Sequence, residues 1–114
     1  MRVNMKQIVQ YYVINSDLKM SAGKAAAQAA HAAAISVLTY MEEPLFKEWL
    51  MSGQTKIMLS GREAELKKLE EKGYVTIKDA GRTEVAPGSL TASALPPMDK
   101  EEAKMIVGHL RLYK

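Results

Sequence analysis

The chain has 114 residues, enough for one compact domain with a substantial core and little more. It contains no cysteine, which excludes disulfides and thiolate metal sites, and its formal net charge of +3 leans only mildly toward anionic partners. With 47% hydrophobic and 25% charged residues it is neither disordered nor collagen-like. MRVNMKQIVQ lacks the charged and then long apolar regions of a signal peptide. The alanine-rich AAAQAAHAAAISVL is interrupted by Gln28 and His31 and is too small-sided for a membrane span. The expectation is a cytoplasmic protein without a membrane segment, which suits the lack of cysteine.

In chain order, QIVQYYVIN (Gln7 to Asn15) is rich in β-branched and aromatic residues and reads as a first strand buried on both faces. SDLKM is a polar connection. Ser21 is a good N-cap for a helix over Lys24 to about Met41, whose alanines suit close packing on a sheet. Pro44 fits the first turn of a short helix, LFKEWLM, ended by Gly53. QTKIMLS is a second strand. GREAELKKLEEKG is an amphipathic helix with Ala64, Leu66 and Leu69 as its apolar stripe and Gly73 as its stop. YVTIK and LTASAL are strands three and four, separated by DAGRTEVAPGS. Asp99 caps a last helix in DKEEAKMIVGHL, and LRLYK is an extended tail.

Strands alternating with helices imply crossover connections and parallel pairing, while the direct loop between strands three and four allows an antiparallel partner. The expected fold is a single α/β domain over residues 1–114. It has a mixed four-stranded sheet with helices on both faces, a three-layer α/β/α arrangement. Ligands in such sheets bind beyond the carboxyl ends of strands, where SDLKM and DAGRT both emerge.

Three segments have the composition of a site. In SDLKM, Lys19 stands between a strand end and a helix start, where a cation can meet an anion; taken alone, it is equally a solvated connector lysine. In KAAAQAAHA, Lys24, Gln28 and His31 at i, i+4 and i+7 share one helical face on an alanine background. That face could meet phosphate and sugar, or could be a half-buried face with a satisfied histidine. Two histidines without cysteine make a poor zinc site. In the loop, Asp79, Gly81, Arg82 and Thr83 put a carboxylate, a guanidinium and a hydroxyl within five residues. An Asx turn accounts for any one of them, though less readily for the set.

DLKM, GKAAAQAAHAA, GQTKIML, KDAGRTEVAPGSLTASALPP and GHLRLY together resemble the archaeal and eukaryotic type of peptidyl-tRNA hydrolase, over nearly the whole chain and in the same order. The resemblance implies an esterase without cofactor or metal. Its substrate is a peptide esterified to the terminal ribose of tRNA, and its assembly a homodimer. Carried over by position, the catalytic residues are Lys19, Asp79 and Thr83, and the tRNA-facing residues are Lys24, Gln28, His31 and Arg82. Asp79 would orient or deprotonate the attacking water, Thr83 would hydrogen-bond the reacting oxygen or the water, and Lys19 would offset negative charge. The chain departs from the family in carrying Ser21-Ala22 where glycine and another lysine are common, which bears on tRNA affinity. It also carries Ala29-Ala30 where Cys-Ser is usual, which argues against a thiol role. Two other functions compete. A non-catalytic RNA-binding module does not require Asp79 beside Thr83, and a protein-binding adaptor would favour an exposed aromatic cluster that the sequence lacks.

Overall fold

The computed structural model describes residues 7–81 and 85–114. Its elements are β1 (Ile8–Asn15), α1 (Ala22–Tyr40), α2 (Phe46–Met51), β2 (Lys56–Gly61), α3 (Glu63–Glu71), β3 (Val75–Lys78), β4 (Leu90–Ala94), β5 (Met98–Asp99), α4 (Lys100–Val107) and β6 (Arg111–Leu112). The strands form one mixed sheet in the order β3-β4-β1-β2-β6, with β5 paired to the start of β1. β1 and β2 are parallel, joined across α1 and α2, whereas β4 is antiparallel to both β1 and β3.

The α/β class and the helices on both faces are as expected, but the sheet has six strands rather than four. The two additional strands are two residues each, too short for alternation to register in sequence. Past Pro96-Pro97 the chain continues along β1, so that Met98 and Asp99 pair with Val9 and Ile8, and Arg111 and Leu112 of the expected tail pair with Ser60 and Leu59. Two local expectations also shift. Pro44 precedes α2 in a turn closed by Phe46 N–H donating to Glu43 O at 3.1 Å, a position suited to the fixed φ of proline. Ala64 is exposed, because it lies about 200° around the helix from Leu66, and α3 is anchored by Leu66 and Leu69 alone.

β1 is the axis of the molecule. Its alternate residues serve two cores: Tyr12 and Ile14 pack beneath α1 and α2 with Phe46 and Trp49, and Val9, Tyr11 and Val13 pack beneath α3 and α4 with Leu66, Leu69 and Val107. Burial of every residue from Val9 to Asn15 follows from having strands on both edges and helices on both faces. The buried side chains of Gln10 and Tyr12 are paired. Gln10 Nε2 donates to Leu95 O at 3.0 Å, and Tyr12 OH donates to Gln10 Oε1 at 2.6 Å.

α1 begins at its Ser21 cap, whose hydroxyl accepts from Lys24 N–H at 3.2 Å, and rests on β4 through small side chains on both sides, Ala25 and Ala32 against Ala92 and Ala94. Its last residue ties the sheet together: Tyr40 OH donates to Ala94 O at 2.7 Å and accepts from Val75 N–H at 2.8 Å. Among the described residues, no helix is long and apolar enough to cross a membrane.

Tyr40→Phe should destabilise the protein by about 1–3 kcal/mol in urea unfolding, since it leaves a buried N–H without its acceptor. Burial, foremost, pushes the Tyr12 and Tyr40 hydroxyls up to about 12 from 10.0. A raised folded-state pKa means that their stabilisation is whole below pH 10.0 and is lost as pH rises through about 12. The Tyr40→Phe protein should therefore lose less of its stability than the wild type across that interval.

Candidate active site

β1 and β3 each run antiparallel to β4, so their carboxyl ends emerge at the same edge of the sheet, where α1 begins. The helical stripe of Lys24, Gln28 and His31 faces the residue that follows β3. These three side chains, with Lys78, Asp79 and Ala80, line a cleft of about 290 Å³. Asp79 is its centre and is only 7% exposed.

Three donors converge on that carboxylate, two at Oδ1 and one at Oδ2. Lys24 Nζ lies 2.5 Å from Oδ1, and Gln28 Nε2 makes a longer contact of 3.4 Å to the same oxygen. Gly81 N–H donates to Oδ2 at 2.6 Å, the Asx turn that the sequence suggests. Gly81 itself has φ +79°, and a Cβ there would overlap the ring of Pro87, so the turn closes onto Pro87 only with glycine in place. The ends of the loop are pinned as well: Asp79 N–H donates to Ser89 O and Gly88 N–H donates to Asp79 O, both at 2.8 Å.

The hydrogen bond from Lys24 is the main reason that the Asp79 carboxyl titrates below its usual value of 3.8. Burial opposes it, while the Gly81 N–H and the charges of Lys24 and His31 add to it. The carboxylate is thus ionised across the neutral range.

A second layer holds Gln28. Thr91 Oγ1 donates to Gln28 Oε1 at 2.5 Å, leaving the amide N–H₂ turned toward Asp79. Neighbouring Ala92 and Ala94 face α1, so in a regular strand Thr91 would point to the opposite side of the sheet. The register shifts here, with Ile77 opposite Ala92 but Lys78 opposite Leu90, so Thr91 is the extra residue of a bulge that turns its hydroxyl to the helix. Sequence reasoning passed over Thr91; the signal was a pair of hydroxyls, Thr91 and Ser93, in an otherwise apolar strand.

Of the predicted residues, the fold gathers Asp79, Lys24, Gln28 and His31; the last is exposed at the rim. Lys19 is not among the residues that line the cleft. It is exposed on the loop after β1, with left-handed backbone (φ 48°), and makes no hydrogen bond or ion pair with the described residues. Its loop is nonetheless fixed. Asp17 N–H donates to Asn15 Oδ1 at 2.8 Å, and the Asp17 carboxylate accepts from Glu63 N–H at 2.9 Å and from Arg62 Nε at 3.1 Å. Asp17 thereby caps α3 from another loop, and these bonds draw its carboxyl below the usual range, the Glu63 N–H foremost. Thr83 and Arg82 lie outside the described residues. Among those described, no three His, Cys, Asp or Glu side chains gather as a metal site would require.

Residues 8–113 match the family model described as peptidyl-tRNA hydrolase PTH2. The chain is 40% identical over 112 residues to a peptidyl-tRNA hydrolase of Thermococcus onnurineus, covering 90% of this chain and 95% of the relative. It is also 40% identical to one of Pyrobaculum aerophilum, over 89% of this chain and 93% of that one. To the peptidyl-tRNA hydrolase 2, mitochondrial, of Bos taurus it is 37% identical, over 89% of this chain and 62% of the bovine protein.

The lowered folded-state pKa of Asp79 makes its ion pair a stabilising contact that is whole above pH 3.8 and lost as pH falls through the lower folded value. The difference in melting temperature between wild type and Asp79→Asn should therefore stay constant from neutral pH down to about 4 and change only below it.

Proposed function

As the chain belongs to the peptidyl-tRNA hydrolase family PTH2, we infer that its polar cleft hydrolyses the ester joining a peptide to the terminal ribose of tRNA, releasing both. The observation that supports this most is Asp79, a nearly buried carboxylate kept ionised by Lys24 and held in orientation by the Gly81 N–H. A groove that merely bound RNA phosphates would gain nothing from a buried anion.

In this reading water attacks the ester carbonyl carbon, the carbon–ribose oxygen bond breaks, and the ribose oxygen leaves with a proton. Asp79 acts chiefly by orientation, because a carboxylate whose pKa is lowered is a weak base. It accepts a hydrogen bond from the water and aims the oxygen's lone pair at the carbonyl. Lys19 offsets the charge that develops on the oxyanion or a nearby phosphate, and Thr83 donates to the reacting oxygen or holds the water. Lys24 and Gln28 support Asp79 directly, His31 stands at the exposed rim, and this reading assigns Arg82 with them to tRNA contact. An ester of this type is already activated, so the reading draws on no metal.

Asp79→Asn should fold, bind tRNA at least as well as the wild type, and lose about 100-fold or more in single-turnover hydrolysis. The wild type should keep its turnover in excess chelator. A folded Asp79→Asn protein of near-wild-type turnover would return the loop to the role of a connector.

We place the reaction in the cytoplasm, which cell fractionation tests, and in a homodimer. The dimer surface is the C-terminal half of α1 with α2, where Leu38 is 75% and Met51 80% exposed and Val37 and Leu50 border one groove. Light scattering should give twice the protomer mass for the wild type, and Leu38→Glu with Met51→Glu should give the protomer mass with the fold intact.

A further inference from the structure

A second concavity lies at the same end of the sheet, on the face covered by α3 and α4. It has a volume of about 820 Å³, with Ser16, His109 and Leu110 in its walls and Arg62, Arg111 and Lys114 among its charged residues. Among its described lining residues the one side-chain carboxylate, Glu65, is already engaged, by His109 Nε2 at 3.1 Å and Lys68 Nζ at 3.9 Å. Arg62 is held by Asp17. Arg111 and Lys114 are exposed and pair with no carboxylate among the described residues, unlike Lys67, Lys68, Lys78 and Lys104 on the neighbouring surface. The groove therefore has two cations free for an outside anion, above an apolar wall at Leu110.

We propose that this groove binds the phosphate backbone of the tRNA whose terminal ester lies in the cleft, with Arg111 and Lys114 as the phosphate contacts. The proposal rests on the hydrolase reading above. An ester at the very end of a nucleic acid leaves the rest of that molecule to exit the cleft. The loop leaving β1 borders the groove at Ser16 and carries Lys19 on toward the start of α1. β3 and β2 are three strand steps apart in the sheet, about 14 Å at ~4.8 Å per step. An RNA that starts at Asp79 and crosses the ends of β4 and β1 thus reaches cations again at the end of β2. Arg111 is set there by backbone pairing with Ser60, so its position does not depend on its side chain.

The test is binding of deacylated tRNA across about 50–200 mM salt, beside hydrolysis of peptidyl-tRNA and of a peptidyl-adenosine ester that lacks the RNA body. Arg111→Ala and Lys114→Ala should each flatten the log–log salt slope by about one unit, and the double variant by about two. On peptidyl-tRNA the double variant should raise KM with kcat kept, and on peptidyl-adenosine it should match the wild type. Charge reversal, Lys114→Glu, should weaken binding further, and a thermal melt confirms folding of each variant. A folded double variant with wild-type affinity and slope would overturn the groove while leaving the catalytic reading intact. Loss of slope in a protein that does not hydrolyse peptidyl-tRNA would support the groove and sink catalysis instead.

Discussion

The contact between Lys24 and Asp79 is the constraint on which the reactive end of the molecule depends. Each charge is mostly removed from water, which costs free energy that only close pairing and further hydrogen bonds return. The fold meets that demand from three directions. α1 delivers Lys24 and Gln28 one turn apart, the Asp79 turn delivers its own Gly81 N–H, and β4 delivers Thr91 to hold Gln28. The pair also closes the angle between the start of α1 and the end of β3, two segments 55 positions apart in the chain. Site and fold therefore share one interaction, and the carboxylate that would serve chemistry also fixes where the helix starts.

The loop after β1 is organised differently. It has no buried pair, only a chain of hydrogen bonds from Asn15 through Asp17 to the first turn of α3. Asn15 also donates to Leu90 O at 2.7 Å, so the start of β4 and the loop bearing Lys19 hang from the same side chain. The left-handed backbone of Lys19 is tolerated because both ends of its loop are fixed, by Asn15 and Asp17 before it and by buried Met20 after it.

What the sequence disclosed, and what it withheld, follows from the range of each signal. The period-3.6 stripe of Lys24, Gln28 and His31 was legible because a helix carries its geometry in its own spacing. The caps Ser21 and Asp99 were legible for the same local reason, and both accept from an N–H three residues on. The α/β class was legible from alternation of strand and helix. Withheld were features made by pairing distant segments: β5 and β6, too short to show a period, and the bulge at Thr91, where one extra residue changes no motif. Asp17 read as loop polarity, since nothing local says that it caps a helix 46 positions away. Lys24 and Gln28 were legible as a polar face, but not as the immediate partners of Asp79.

The alanine seam beneath α1 also has an architectural consequence. On the other face of the sheet the core is built from leucine and valine, whose branched side chains can change rotamer and take up small errors of volume. Where Ala25 and Ala32 of α1 meet Ala92 and Ala94 of β4, the apolar contact is methyl against methyl, with no rotamer to adjust. The seam works as a fixed spacer, and the width of the cleft is whatever that spacer sets. Where α1 crosses β4, the helix is held to a gauge measured in single methyl groups.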